Sequence, residues 1–292
     1  MGRRVVIDGT AFGPEEARVS VYDRGFLYGD AVFETVRTYA RRLFALDEHL
    51  RRLERSAAAL AIELPVARAV LAAECERAVA EAGEGEHYVR VMVTRGSGPL
   101  GLDPALALRA MRVVIVEPVA PLPVAQYRDG IRARCVQTVR ASDAAHSAKL
   151  SNYLASVLAL GEARKAGADE ALVVNRDGLL VEGTTANVFV VRAGAVVTPP
   201  VEAGLLPGIT RAIVLDLCAR EGVLASERTL WPEQLQDADE MFITSSLREL
   251  LPVVEVDGRA VGSGRPGPVT RTLHRAFRRH VGLDGPMPWE IA

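Results

Sequence analysis

Apolar and polar positions alternate from Ala31 to Tyr39. The period of two puts Phe33, Thr35 and Arg37 on one face and Val32, Glu34, Val36 and Thr38 on the other, which predicts a strand. Similar runs predict strands at Arg3 to Ile7, Val19 to Tyr22, Leu43 to Leu46, Tyr88 to Thr94 and Met111 to Glu117. After Asp47, a good N-cap, the period changes to that of a helix: Leu50, Leu53, Ala57 and Leu60 share a stripe, while Arg51, Arg52 and Arg55 fall off it and read as a solvated face. A second helix is predicted from Pro65 to Glu81. These elements make an α+β domain over residues 1–118, and the proline-rich stretch after it reads as a linker, residues 119–128.

The remaining chain, residues 129–292, reads as a larger domain that opens with a strand from Ile131 to Val139 and a helix running through Ala166. Hairpins follow. Asn-Arg-Asp-Gly joins Ala171–Val174 to Leu179–Glu182, and Arg-Ala-Gly joins Asn187–Val191 to Ala195–Thr198. A helix from Ile209 to Glu221, strands at Glu240 to Thr244 and Val253 to Val256, and a helix from Pro268 to His280 complete the pattern, an alternation of the α/β kind.

A chain of 292 residues, 49% hydrophobic and 25% charged, can bury the cores that two domains need. Its formal net charge of -2 gives no basic excess for nucleic acid. With neither a signal-like N-terminus nor an apolar run long enough to span a bilayer, a cytoplasmic protein without membrane association is expected. Cys75, Cys135 and Cys218 stand far apart without metal-ligand spacing, so buried free thiols and no metal site are expected.

One compositional bias changes the picture: of 35 basic side chains, only Lys149 and Lys165 are lysine. Guanidinium replaces ammonium easily in ion pairing but cannot lose its proton to attack a carbonyl. Lys165 ends a helix before Gly167, where a cation suits the dipole. Lys149, in His146-Ser-Ala-Lys-Leu-Ser-Asn-Tyr153, is either a surface lysine or a partly desolvated amine able to condense with an aldehyde.

An aldehyde cofactor bearing a phosphate would need an anion pocket, a partner for a ring nitrogen and an apolar surface against the ring. Leu205-Leu-Pro-Gly-Ile-Thr210 leads a glycine turn into a helix N-terminus, which suits phosphate but is also an ordinary helix start. Thr244-Ser-Ser246 offers hydroxyls to the same anion, or is a polar strand end. Glu182 interrupts an apolar run, either to face a ring nitrogen or to face water at a sheet edge. Tyr88 and Arg90 share one strand face, which suits a carboxylate or simply a solvated side.

Together these residues resemble the class IV aminotransferases, the fold-type IV family of pyridoxal 5′-phosphate (PLP) enzymes. The likeness runs through Asp23-Arg-Gly-Phe-Leu-Tyr-Gly-Asp30, Val32-Phe-Glu-Thr-Val-Arg37, Glu48-His-Leu-Arg-Arg-Leu53, Lys149-Leu-Ser-Asn-Tyr153, Glu182-Gly-Thr-Thr-Ala-Asn-Val-Phe189, Leu206-Pro-Gly-Ile-Thr-Arg211 and Arg265-Pro-Gly-Pro. The resemblance implies a small N-terminal α+β domain, a larger C-terminal pseudo-barrel domain, PLP between them, and a homodimer whose active sites lie near the subunit interface and borrow loops from the neighbour. It also implies Lys149 as the Schiff-base lysine, Glu182 as partner of the pyridine nitrogen, Leu206 under the ring and Tyr153 on the phenolic oxygen. Arg52, Ile209, Thr210 and Ser246 become phosphate ligands, with Gly208 and Ser245 beside them. For Arg52 this displaces the solvated reading that its place off the stripe suggests.

For the substrate, Tyr28, Phe33, Arg37, Tyr88, Arg90, Tyr153 and Gly101-Leu-Asp-Pro104 resemble the branched-chain group, with an L-amino acid and a 2-oxo acid such as 2-oxoglutarate as substrates. Thr244-Ser-Ser-Leu-Arg248 is closer to the 4-amino-4-deoxychorismate lyases, so Leu247 and Arg248 depart from the branched-chain pattern beside the substrate carboxylate. The Arg-x-His pair of the D-amino acid enzymes is absent after Tyr88. The alternatives are the lyase, a D-amino acid or (R)-amine transaminase, and a PLP-binding protein without turnover.

Overall fold

The computed structural model describes residues 2–138 and 147–290, so Val139 and His146 lie outside the described residues. Its contacts divide the chain into two units, Met1–Ala120 with Ala148–Tyr153, and Pro121–Ser147 with Leu154–Ala292. The segment carrying Lys149, placed with the larger domain from sequence, thus packs within the first unit.

That unit contains β1 (Arg4–Ile7), β2 (Thr10–Phe12), α1 (Arg24–Tyr28), β3 (Ala31–Tyr39), β4 (Arg42–Leu43), α2 (Leu46–Ala59), α3 (Arg68–Ala82), β5 (His87–Thr94) and β6 (Met111–Pro118). Its six-stranded sheet has the order β2-β1-β6-β5-β3-β4 and is antiparallel throughout. α2 and α3 cover one face. Val32, Val36, Val89, Val91 and Val114 meet Leu50, Leu53, Leu71 and Val79 there, and each buried leucine contributes about 1.5–3 kcal/mol relative to exposure.

Three expectations change. Residues 19–22 form no strand: Val19, Val21 and Tyr22 are exposed, and among the described residues no strand pairs with them. The strand expected at 43–46 shrinks to β4, because α2 already begins at Leu46. Asp47 is therefore not the N-cap but stands with Glu48 in the first turn, where negative charge still suits the dipole.

The second unit contains α4 (Val124–Arg128), β7 (Ile131–Gln137), α5 (Leu154–Lys165), β8 (Glu170–Val174), β9 (Leu180–Gly183), β10 (Asn187–Arg192), β11 (Ala195–Thr198), α6 (Ile209–Arg220), β12 (Ala225–Glu227), β13 (Glu240–Ser245), β14 (Glu249–Val256), β15 (Arg259–Ala260) and α7 (Pro268–His280). The sheet order is β12-β11-β10-β13-β14-β7-β8-β9, with β15 on β14. β7 and β8 are parallel and connected through α5; β13 and β14 are antiparallel. A short link, closed by Gly183 N–H donating to the Ala186 carbonyl at 2.6 Å, joins the terminal strand β9 to β10, so the sheet curls into a half-barrel. The chain therefore combines an α+β unit with a curled α/β unit.

Among the described residues no helix is long and apolar enough to cross a membrane, and no three His, Cys, Asp or Glu side chains gather as a metal site. Cys75 and Cys218 are buried; Cys135 is only half-buried, contrary to expectation. Burial, with Glu74 and Glu76 nearby, pushes the Cys75 thiol up to about 12.

Candidate active site

In the first unit, Lys149 is fixed through its backbone. Its N–H donates to Ser56 Oγ at 3.0 Å, and its carbonyl accepts from Phe33 N–H at 3.0 Å. Ser151 N–H also reaches the Ala31 carbonyl, so the segment lies along the edge of β3. The Lys149 amine is half-buried, 3.3 Å from the Tyr153 hydroxyl and 4.7 Å from the centroid of the Phe33 ring. Phe33 and Tyr153 pack against each other at 5.4 Å.

The register of β3 on β5 sets Arg37 opposite Tyr88 and Thr35 opposite Arg90, so Phe33, Arg37, Tyr88 and Arg90 share one face. Arg90 covers the Phe33 ring at 3.7 Å, a cation–π contact. Tyr28 is held elsewhere in the unit, its hydroxyl accepting from Gly101 N–H at 3.2 Å and its ring 5.0 Å from the Arg24 guanidinium.

Arg52 is buried, not solvated. Its Nε and Nη2 donate to the two oxygens of Glu34 at 2.7 Å each, and His49 Nδ1 lies 2.7 Å from Glu34 Oε2. Burial opposes charge on Glu34, but hydrogen bonds from Arg52 and His49 prevail and hold its carboxyl at about 2. Burial, helped by the Arg52 and Lys149 charges, lowers His49 despite Glu34. An ionised Glu34 only accepts, so the proton of a neutral His49 sits on Nδ1.

In the second unit, Glu182 is buried on β9, its Oε2 accepting from Asn187 Nδ2 at 3.1 Å and Leu206 N–H at 3.2 Å. Asn187 Nδ2 also reaches the Leu206 carbonyl at 2.9 Å, tying the loop before α6 to β10. Gly208 makes that approach possible: a Cβ there would meet Asn187 Oδ1 at 1.9 Å. Gly208 is the N-cap of α6 and provides no side-chain cap, leaving the first-turn amides by Ile209 and Thr210 suited to an anion. Asn187 pairs with Thr244, whose buried hydroxyl has no hydrogen-bond partner among the described residues, and Ser245 and Ser246 continue from it. An orphaned hydroxyl, an uncapped helix start and a fixed carboxylate are chemistry that a phosphorylated pyridine aldehyde fits.

Beside this group lies a second buried carboxylate. Glu170 accepts from the amide and hydroxyl of Thr184 and from Arg248 Nη1, while Arg248 Nη2 donates to Thr185 Oγ1 at 3.1 Å. Arg248 thus braces the turn after Glu182. Leu247, half-buried, precedes it in the turn between β13 and β14. Sequence reasoning gave no role to Glu34, His49, Asn187 or Glu170, although Glu34 and Glu170 carry the signal that marked Glu182: an acid within an apolar strand.

Residues 31–256 match the family described as amino-transferase class IV. A Methanocaldococcus jannaschii protein provisionally named a branched-chain-amino-acid aminotransferase is 39% identical over 277 residues, covering 94% of this chain and 95% of its own. A D-alanine aminotransferase of Bacillus licheniformis is 34% identical, over 95% of this chain and 97% of its own. The crystal structure of Escherichia coli branched-chain amino acid aminotransferase superposes with a TM-score of 0.91 at 30% identity, covering 97% of this chain and 96% of that one. The family match and the fold define a PLP-dependent transaminase that moves amino groups between amino acids and 2-oxo acids. The chain belongs to the class IV aminotransferases.

Proposed function

We propose that the enzyme transfers the amino group of branched-chain L-amino acids to a 2-oxo acid such as 2-oxoglutarate. The observation carrying this reading is the β3–β5 face: the buried Phe33 ring, with the Lys149 amine 4.7 Å away, gives an aliphatic side chain an apolar wall. Arg37, Tyr88 and Arg90 supply carboxylate donors on the same face. Leu247 and Arg248 are the residues through which the substrate range would differ from the branched-chain pattern.

PLP supplies an aldehyde for the amino group and a conjugated ring that takes up the electron pair left when the Cα–H bond breaks. Lys149 would be the residue that anchors the aldehyde, and its free amine would be the base for the Cα proton. Tyr153, whose hydroxyl lies 3.3 Å from the Lys149 amine, would serve the cofactor's phenolic oxygen. Glu182, held by Asn187 and the Leu206 amide, would partner the ring nitrogen, and the Leu206 side chain would offer the ring an apolar surface. Arg52, the α6 start at Gly208, Ile209 and Thr210, and the hydroxyls of Ser245 and Ser246 would hold the phosphate.

Amino transfer assayed with L-leucine, D-alanine and aminodeoxychorismate separates this reading from the D-amino acid and lyase readings. Absence of transfer from L-leucine to 2-oxoglutarate would sink it. We also infer a homodimer. In the first unit Phe26 (68% exposed), Leu102 (78%) and Leu108 (83%) are exposed apolar side chains, and Arg24 ties α1 to the Gly101 and Leu102 carbonyls. Sedimentation equilibrium should give twice the chain mass for the wild type and a lower mass for Leu102→Asp; a monomeric wild type would refute the inference.

A further inference from the structure

Glu34 occupies an odd position for a charge. It stands in the inward row of β3 between Val32 and Val36, opposite Val91, with no exposed surface, among residues that otherwise form the apolar core of the first unit. A lone carboxylate there would be strongly destabilising. α2 compensates with one stripe, His49, Arg52 and Ser56, spaced three and four residues apart. His49 and Arg52 satisfy both Glu34 oxygens, and Ser56, one turn beyond Arg52, accepts the Lys149 N–H.

Fully buried ion pairs of this kind are often no more stabilising than well-packed apolar side chains. Their geometric effect is specific, however. Two donations through Nε and Nη2 fix both the plane and the direction of the guanidinium, and hence the direction of Nη1. On the other side of the carboxylate, His49 prevents Glu34 from rotating away.

We propose that Glu34 and His49 are positioning residues that aim Arg52 at the cofactor's phosphate, so that one face of α2 sets both the phosphate grip, through Arg52, and the anchor of the reactive amine, through Ser56. This rests on the reading of Arg52 as a phosphate ligand given under Proposed function.

The test uses the full chain freed of cofactor and titrated with PLP and with pyridoxal, which lacks the phosphate; bound-cofactor absorbance reports each affinity. Arg52→Met should weaken PLP by about tenfold or more and leave pyridoxal within about twofold. If both ligands respond equally, the phosphate reading of Arg52 fails. Glu34→Gln should weaken PLP by about tenfold, spare pyridoxal, and add nothing in an Arg52→Met background. A folded Glu34→Gln protein that binds PLP as wild type, while Arg52→Met does not, overturns the positioning role and leaves the phosphate reading intact. Should Glu34→Gln fail to fold, the His49 pair decides. His49→Leu should weaken PLP by about threefold without affecting pyridoxal, and His49→Asn, which keeps a donor near Nδ1, should restore it; PLP affinity unchanged in His49→Leu overturns the proposal.

Discussion

Each unit buries a carboxylate with no exposed surface, yet the two are satisfied in opposite ways. Glu34 is held by side chains, a buried guanidinium and a buried imidazole from the same helix. Glu170 is held mainly through the Ala171 amide and the amide and hydroxyl of Thr184, with Arg248, 25% exposed at its side chain, closing the knot from outside. The first arrangement orients a cation, because a planar donor docked on both oxygens loses its rotational freedom. The second orients a stretch of chain, Thr184–Thr185, between Glu182 and Asn187. Buried acids therefore do different work, and what differs is whether their partners are side chains or backbone.

Substitutions test this contrast. The largest effect should come from Lys149→Ala: transamination should drop by about 10³-fold or more, and mass spectrometry after borohydride reduction should find no covalent pyridoxyl adduct. Retained activity or an adduct elsewhere would refute the assignment. Glu182→Gln should lower kcat by about 10²-fold with little change in melting temperature, since Asn187 and the Leu206 amide can still bond the amide oxygen. Arg248→Met should act differently, lowering stability by up to roughly 3 kcal/mol because Glu170 stays buried without its cation, with partial recovery in the Glu170→Gln/Arg248→Met double variant. If Arg248→Met instead melts like wild type and raises KM for the 2-oxo acid, Arg248 is a substrate ligand and not a brace.

The effect of pH is of the same order as that of Arg248→Met but is felt only in acid. The Glu34 carboxyl sits at about 2 in the fold against an ordinary 4.5, so its contribution, on the order of 3 kcal/mol, is complete above pH 4.5 and is lost as pH falls toward 2. His49 and His274, kept below the ordinary 6.5 chiefly by burial, bind protons more readily once unfolded. Loss of stability should therefore begin as pH drops below about 6.5 and steepen below 4.5. Urea midpoints measured across that range would show it, and a flat profile in wild type would contradict the buried charge pair.

Much of the site was legible because its residues carry local signals. Lys149 stands out by composition, Gly208–Thr210 by a turn leading into a helix, and Glu182 by its apolar surroundings. Arg52 did not, since helical periodicity placed it off the leucine stripe and periodicity reports only a direction around the axis. Whether that direction meets water or Glu34 depends on where β3 lies. Likewise Val19 to Tyr22 has the composition of a strand but, among the described residues, no strand to pair with.

Strand and helix periods, the candidate Schiff-base lysine, and the motifs that place the chain in its family could be read from the sequence, because these depend on neighbours a few positions apart. Tertiary structure alone decided that Arg52 is buried on Glu34, that the Lys149 segment lies along β3, and that Arg248 closes on Glu170, 78 positions away. Such pairings are set by which faces the folded chain brings together, and no local pattern encodes the identity of a distant partner.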